Sequence, residues 1–208
     1  MIHQRSIRRG DLGIRAIGAV VAAIMLVSLL SGCGGSDDYT FKGGQVKPIS
    51  RAAPIELTDQ NGQPFSLTSL KGNVFVLYCG YTTCPDLCPT TLSDFTAVKT
   101  ALGEKAEKVQ FGLVTVDPER DTPARLKQYL GFFDPTFIGL TGSAEQIAAV
   151  EREYGVVAKR VEFPGTSTGY LMDHTSVIYV IDSKGMMRVT FQYGSDPNDI
   201  AEDIRHLL

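Results

Sequence analysis

The chain contains no internal repeat, no low-complexity tract and no cluster of lysine and arginine interleaved with aromatics. It has only four cysteines and three histidines in 208 residues. Without a basic patch, nucleic acid is excluded as a partner on electrostatic grounds. With so few sulfurs and imidazoles, a structural zinc site of four Cys/His ligands is hard to assemble. No apolar run is long enough for a comfortable membrane span, since the longest, Ala16 to Leu30, has 15 uncharged residues. What remains is a chain that is 43% hydrophobic, which suffices for one domain with a sizeable core.

The short apolar run follows Arg5, Arg8, Arg9 and Arg15, and it ends in Leu-Ser-Gly-Cys at Cys33. A positive segment, a short apolar segment and small residues before a cysteine read as a secretory signal over residues 1–32. The tetrapeptide resembles the lipobox of bacterial lipoproteins, which implies lipidation of Cys33. An uncleaved anchor helix running through Ser36 is the other reading. Removing residues 1–32 takes away four arginines and Asp11, leaving 16 basic against 22 acidic residues, a net charge of −6. Such a domain does not adhere to anionic lipid by charge, so the lipid would hold it. Residues 33–50, rich in Gly, Ser and Asp, read as a flexible tether. Extended, the 17 residues from Gly34 to Ser50 would reach roughly 50 Å at about 3.3 Å per residue.

From residue 51 the pattern alternates strand and helix to the end at residue 208. Two short alternating runs around Asn61-Gly62 predict an N-terminal β-hairpin. The continuous apolar run "NVFVLYCG" predicts a buried central strand, and "TLSDFTAVKTALG" a helix stopping at Gly103. Further strands are expected at "KVQFGLVTVDP", "TFIGL", "SVIYVID" and "MMRVTFQYG". Further helices are expected after Asp121-Thr122-Pro123, after Ser143 and over "DPNDIAEDIRHLL". A buried strand leading into a cysteine-bearing turn and a helix is thioredoxin-like topology, an α/β fold with a central mixed sheet flanked by helices.

That turn is "YCGYTTCPDLCPTT", with Cys84 and Cys88 three residues apart. Pro89 cannot sit deep in a helix, so the helix is expected to begin near it, with Cys88 beside the N-cap and Cys84 in the preceding turn. Both sulfurs then meet unpaired amides and the positive end of the helix dipole, which favour thiolate. Two thiolates are a soft pair suited to Cu(I), zinc or iron–sulfur chemistry. A Cys84–Cys88 disulfide is equally compatible with the spacing. Of the histidines, His3 lies in the signal and His206 in the last helical turn, which leaves His174 before a strand. Read alone, His174 is more often structural than a ligand.

Three blocks together resemble the Sco/SenC copper-chaperone family: "FVLYCGYTTCPDLCPTTL", "VDPERDTP" and "YLMDHTSVIYVID". The resemblance implies a thioredoxin-like domain with one copper, Cu(I) or Cu(II), on Cys84, Cys88 and His174. It implies a role in preparing the CuA centre of cytochrome c oxidase subunit II, with other copper chaperones as further partners, on the extracytoplasmic face of a bacterial membrane. Some relatives instead reduce disulfides or signal redox state. The alternative is therefore a tethered thiol–disulfide oxidoreductase or redox sensor using Cys84 and Cys88, against which the absence of a CxxC pair speaks.

Neighbouring residues have two readings each. Asp86 tunes the thiolates or caps the helix. Asp173 holds the His174 ring nitrogen or is a strand-end turn residue. Asp117, Arg120 and Asp121 are expected to fix a loop and a cap rather than touch metal, and Tyr78 and Tyr81 to form core and pocket wall. Cys79 stands where the family usually has an aromatic residue; it is expected to be a small buried hydrophobe, with a position facing the site as the other reading.

Overall fold

A computed structural model describes residues 39–165 and 168–208. The signal over residues 1–32 and the lipidation residue Cys33 lie outside the described residues. In chain order the strands are β1 (Gly44–Arg51), β2 (Glu56–Asp59), β3 (Pro64–Ser66), β4 (Val74–Gly80), β5 (Val109–Thr115), β6 (Ile138–Thr141), β7 (Ala158–Glu162), β8 (Tyr170–His174), β9 (Val177–Ile181) and β10 (Met186–Gln192). The helices are α1 (Leu87–Leu102), α2 (Pro123–Gly131), α3 (Ala144–Tyr154) and α4 (Pro197–Leu207). No helix among the described residues is long and apolar enough to cross a membrane.

All seven residues of β4 are buried, as a continuous apolar run requires of a strand covered on both faces. It pairs parallel with β5 and antiparallel with β9. The eight-stranded mixed sheet runs β1-β10-β9-β4-β5-β6-β2-β3, and β7 and β8 form a separate two-stranded ribbon. This is the thioredoxin-like arrangement expected from the strand–turn–helix pattern. Beneath α1, Phe95, Phe111 and Phe137 pack with ring centroids 5.3 to 6.2 Å apart. Each such buried ring contributes about 1.5–3 kcal/mol through apolar burial.

The helix boundaries follow local chemistry. Thr122 caps α2 by accepting from the Arg125 amide, with Pro123 in the first turn, so Asp121 is released for another task. Ser143 and Gln146 form a reciprocal capping box on α3, which ends at Gly155 in the left-handed conformation. Asp196 caps α4. The hairpin β2–β3 forms around Gly62, whose φ of 77° a side chain would resist.

Two expectations need correction. The tether does not run to Ser50: Gly44–Arg51 is strand β1, paired with β10. The amides of Lys42 and Gly43 just before it donate to the buried Asp203 carboxylate on α4 at 3.0 Å. The segment resembles a linker because it is an outer edge strand, almost wholly exposed and carrying Pro48, so it shows no apolar alternation. The block "YLMDHTSVIYVID" holds the expected strand and, before it, a second, unexpected one. His174 ends β8, and β9 starts after Thr175 and Ser176. β8 pairs with β7, a strand whose exposed, charged sequence "AKRVE" hides it from pattern reading.

Candidate metal centre

The C-terminal end of β4 delivers the chain into the Tyr81–Asp86 turn, and α1 starts at Leu87. Cys88 is therefore the second residue of the helix, slightly deeper than expected, and Pro89 the third, where its missing N–H costs nothing. Cys88 is fully buried while Cys84 is partly exposed. Both are free thiols, as is Cys79. The Cys88 amide donates to Cys84 Sγ at 3.5 Å.

His174 comes to this turn from the end of β8. Its Nε2 lies 3.5 Å from Cys88 Sγ. Its Nδ1 faces the Thr175 carbonyl oxygen at 3.1 Å. With its proton on Nδ1, donated to that carbonyl, the ring would present its Nε2 lone pair to a metal held by the sulfurs. The donor atoms of Cys84, Cys88 and His174 all lie within 4.8 Å of one another. Tyr81 and Tyr78 wall the ring edge-on, with centroids 5.7 and 6.0 Å away. The Tyr78 hydroxyl donates to Cys88 Sγ at 3.7 Å.

The two thiols divide one charge. Cys84 is pushed down to about 3, first by the hydrogen bond from Cys88, with His174 and the amides of Asp86 and Cys88 adding to it against desolvation. Cys88 is pushed up by its hydrogen bond to Cys84, by burial and by the Cys84 charge. The pair is thus a thiolate hydrogen-bonded by a thiol, and a soft cation would displace the shared proton.

The predicted neighbours are distributed unevenly. The Asp86 carboxylate makes no cap hydrogen bond, so the capping reading fails; only its backbone amide serves Cys84. Asp173 is exposed, whereas His174 turns its Nδ1 to a backbone carbonyl, so the Asp173–imidazole contact is replaced by Thr175. Successive strand residues point to opposite faces, which explains why the adjacent acid cannot reach the ring. Cys79 is 1% exposed, and burial raises it to about 12. Its electrostatic neighbours are Glu151, Tyr154 and Tyr179, while Tyr78 faces Cys88, so strand alternation puts Cys79 on the sheet face away from the site.

Asp117, Arg120 and Asp121 brace the site without entering it. Asp121, fully buried, accepts from the Thr82 amide (3.0 Å), the Thr82 hydroxyl (2.6 Å) and the Thr115 hydroxyl (2.6 Å), tying the cysteine turn to the end of β5. Asp117 pairs with Arg120 and accepts from the Tyr170 hydroxyl at 2.8 Å, at the start of the strand that carries His174. Pattern reading missed Thr82, Thr115 and Tyr170, whose roles are visible only once three distant segments meet. It also missed Gly80: a Cβ there would lie 2.9 Å from Cys88 Sγ and 2.7 Å from the Tyr78 ring.

Comparison with known proteins places this arrangement. A match to the family described as SCO1/SenC covers residues 45–208. An SCO2-like protein of Rickettsia conorii is 36% identical over 198 residues, 90% of this chain and 97% of its own length. The structure of Bradyrhizobium japonicum ScoI with copper bound is 42% identical, covering 76% of this chain and all of that one, with a TM-score of 0.70. BsSco, described as a member of the Sco family of cytochrome c oxidase assembly proteins with a disulfide switch, is 25% identical over 81% of this chain and 96% of its own, with a TM-score of 0.61.

Proposed function

The chain belongs to the SCO1/SenC family, and from that premise we propose that it binds one copper ion as cargo through Cys84, Cys88 and His174 and prepares the CuA centre of cytochrome c oxidase subunit II. The observation that carries this reading is the convergence of two sulfurs and one imidazole nitrogen within 4.8 Å. Two soft sulfurs and an imidazole suit Cu(I) in a three-coordinate arrangement, and three protein donors leave a side open to an acceptor's ligand. Cys84 is the partly exposed donor, so exchange with a partner proceeds through it. Other copper chaperones would load the site by the same exposed edge.

The protein works, in this reading, on the extracytoplasmic face of a bacterial membrane, held by lipid on Cys33. The tether is shorter than the linker composition suggests, because the chain is fixed to Asp203 from Lys42 onward. Mass spectrometry of the membrane-extracted protein should find a modified Cys33 at the N-terminus; an intact Met1 would support an anchor helix instead.

The experiment on the metal is a copper titration of the purified, reduced chain. One equivalent should bind, and Cys84→Ser or Cys88→Ser should abolish tight binding while Cys79→Ser should not. Stoichiometric binding that survives both changes would remove the proposal. A second reading is favoured by the unequal thiols: a low Cys84 and a raised Cys88 suit an attacking and a resolving thiol. Cys84 thiolate would attack a partner's disulfide and expel one partner thiol. Cys88 would then displace the other, so the partner is reduced by two electrons and Cys84–Cys88 becomes the disulfide.

A further inference from the structure

The ligands of the site come from two pieces of backbone that the main sheet joins on one side only, where β9, starting three residues after His174, pairs with β4. Cys84 and Cys88 sit on the turn and helix after β4, whereas His174 sits at the end of the two-stranded ribbon. On the β8 side, the position of His174 is left to the ribbon and to the side chains that hold it.

Arg120 is placed to set it. Its Nη1 donates to the carbonyl oxygens of Thr168 (3.1 Å) and Tyr170 (3.0 Å), fixing the backbone where β8 begins. Its Nε pairs with the buried Asp117 carboxylate, which also receives the Tyr170 hydroxyl. Its guanidinium lies 3.5 Å from the Tyr170 ring centroid and 5.9 Å from that of Tyr81. Tyr81 in turn stands edge-on to His174 at 5.7 Å and 85°. One side chain thus touches the start of the His174 strand and an aromatic wall of the His174 ring. Three residues back in the chain, Asp117 roots it, and one residue on, Asp121 holds Thr82 of the cysteine turn.

We infer that Arg120 is a positioning residue for the metal site, holding the His174 imidazole within reach of Cys84 and Cys88 by clamping the backbone of β8 and backing Tyr81. The inference rests on the copper-binding reading for its role, but its geometry can be tested without metal. A guanidinium is required because only its planar fork serves an ion pair and a pair of carbonyls at once; an ammonium cannot replace it. An arginine that merely stabilised the ribbon would lower stability without singling out His174.

The test is a double-mutant cycle on the full chain in detergent, with the parent, Arg120→Gln, His174→Ala and the double variant, read by Cu(I) competition against bicinchoninate. Arg120→Gln should weaken binding about 10- to 100-fold, the usual cost of losing an outer-shell support. In the His174→Ala background it should cost nothing further, because the group it positions is gone. Equal losses in both backgrounds, or no loss in either, would overturn the inference. The metal-free arm is nitrogen NMR of the imidazole: Arg120→Gln should change the His174 ring signals, and unchanged signals would also overturn it. Should the parent bind no copper, the function reading falls while this arm still decides the role of Arg120. If Arg120→Gln does not fold, Arg120→Lys, which keeps the cation, carries the same comparisons with the same expected losses.

Discussion

His174 Nε2 and Cys88 Sγ lie 3.5 Å apart although 86 residues separate them in the chain. The contact is made at the point where the β4–α1 turn and the end of β8 meet, and each half is braced by the Asp117–Asp121 segment. In the proposed copper site the imidazole is the third donor beside the two sulfurs. His174→Ala should therefore cost copper affinity more than the roughly 10- to 100-fold typical of outer-shell changes. Titration of that variant with Cu(I) and Cu(II) checks this, and parent-like affinity for both ions would refute the three-donor site.

The unequal thiols give a pH-dependent prediction. Cys84 is lowered from an ordinary thiol value to about 3, chiefly by the hydrogen bond from Cys88. It is then largely deprotonated from about pH 5 upward, while Cys88, raised, stays protonated throughout the neutral range. Alkylation with iodoacetamide at about pH 5 should thus modify Cys84 and spare Cys88 and Cys79, since the thiolate is the nucleophile. The rate at Cys84 should change little between about pH 5 and pH 8, where an ordinary thiol would accelerate by orders of magnitude. Peptide mapping of the alkylated, metal-free protein reads both numbers, and a steep pH dependence at Cys84 would contradict the charge division.

Much of this is legible in the sequence alone. The buried run "NVFVLYCG", the CxxxC turn with its prolines and the helix after it are local signals, and the structure places each where the pattern does. Cys84 and Cys88 announce themselves because two soft donors stand together in sequence. His174 is different: its ligand character depends on a contact across 86 residues, and only the resemblance to a family singled it out. Asp173 and Asp86 are adjacent to the ligands in sequence, yet Asp173 is exposed and the Asp86 side chain makes no cap hydrogen bond. The strands β1 and β7 carry no apolar alternation because both lie in exposed ribbons or edges. Thr82 and Thr115 are unremarkable in sequence and acquire meaning only around the buried Asp121.

Gly80 limits how the site can vary. An added Cβ would lie 2.7 Å from the Tyr78 ring, 2.9 Å from Cys88 Sγ and 3.2 Å from Leu113. All three neighbours are fully buried and cannot retreat without disturbing the core. Gly80→Ala should destabilise the domain by about 1–3 kcal/mol, the usual cost of overpacking. It should also weaken copper binding by moving Cys88. Chemical denaturation and copper titration together test this; a variant with parental values in both would show that the turn is more pliant than the packing implies.

Asp203 ties the start of the domain to its last helix. Its carboxylate, fully buried, accepts from the amides of Lys42 and Gly43 at 3.0 Å. Asp203→Ala leaves those amides without their acceptor and should cost about 1–3 kcal/mol. Hydrogen exchange should quicken at Lys42 and Gly43 and along β1, while β4 and β5 keep their relative protection. Copper affinity should be unchanged, because β1 is separated from the site by β10 and β9. Unaltered exchange in β1 would mean that the strand holds to β10 without the carboxylate.

Delivery of copper and reduction of disulfides make opposite demands on one pair of sulfurs. Copper needs thiolate, and a Cys84–Cys88 disulfide offers none. Oxidising the pair should abolish copper binding, and reduction should restore it. In cells, loss of the protein should lower cytochrome oxidase activity, most at limiting copper, and added copper should at least partly restore it. Complementation separates the two roles. Dithiol exchange needs Cys84 and Cys88 but has no use for a distant imidazole, whereas copper transfer needs all three donors. His174→Ala introduced into a deletion strain should therefore fail to restore oxidase activity at low copper, as either cysteine variant should. Full rescue by His174→Ala under those conditions, with both cysteine variants inactive, would overturn copper delivery and establish the thiol–disulfide reading.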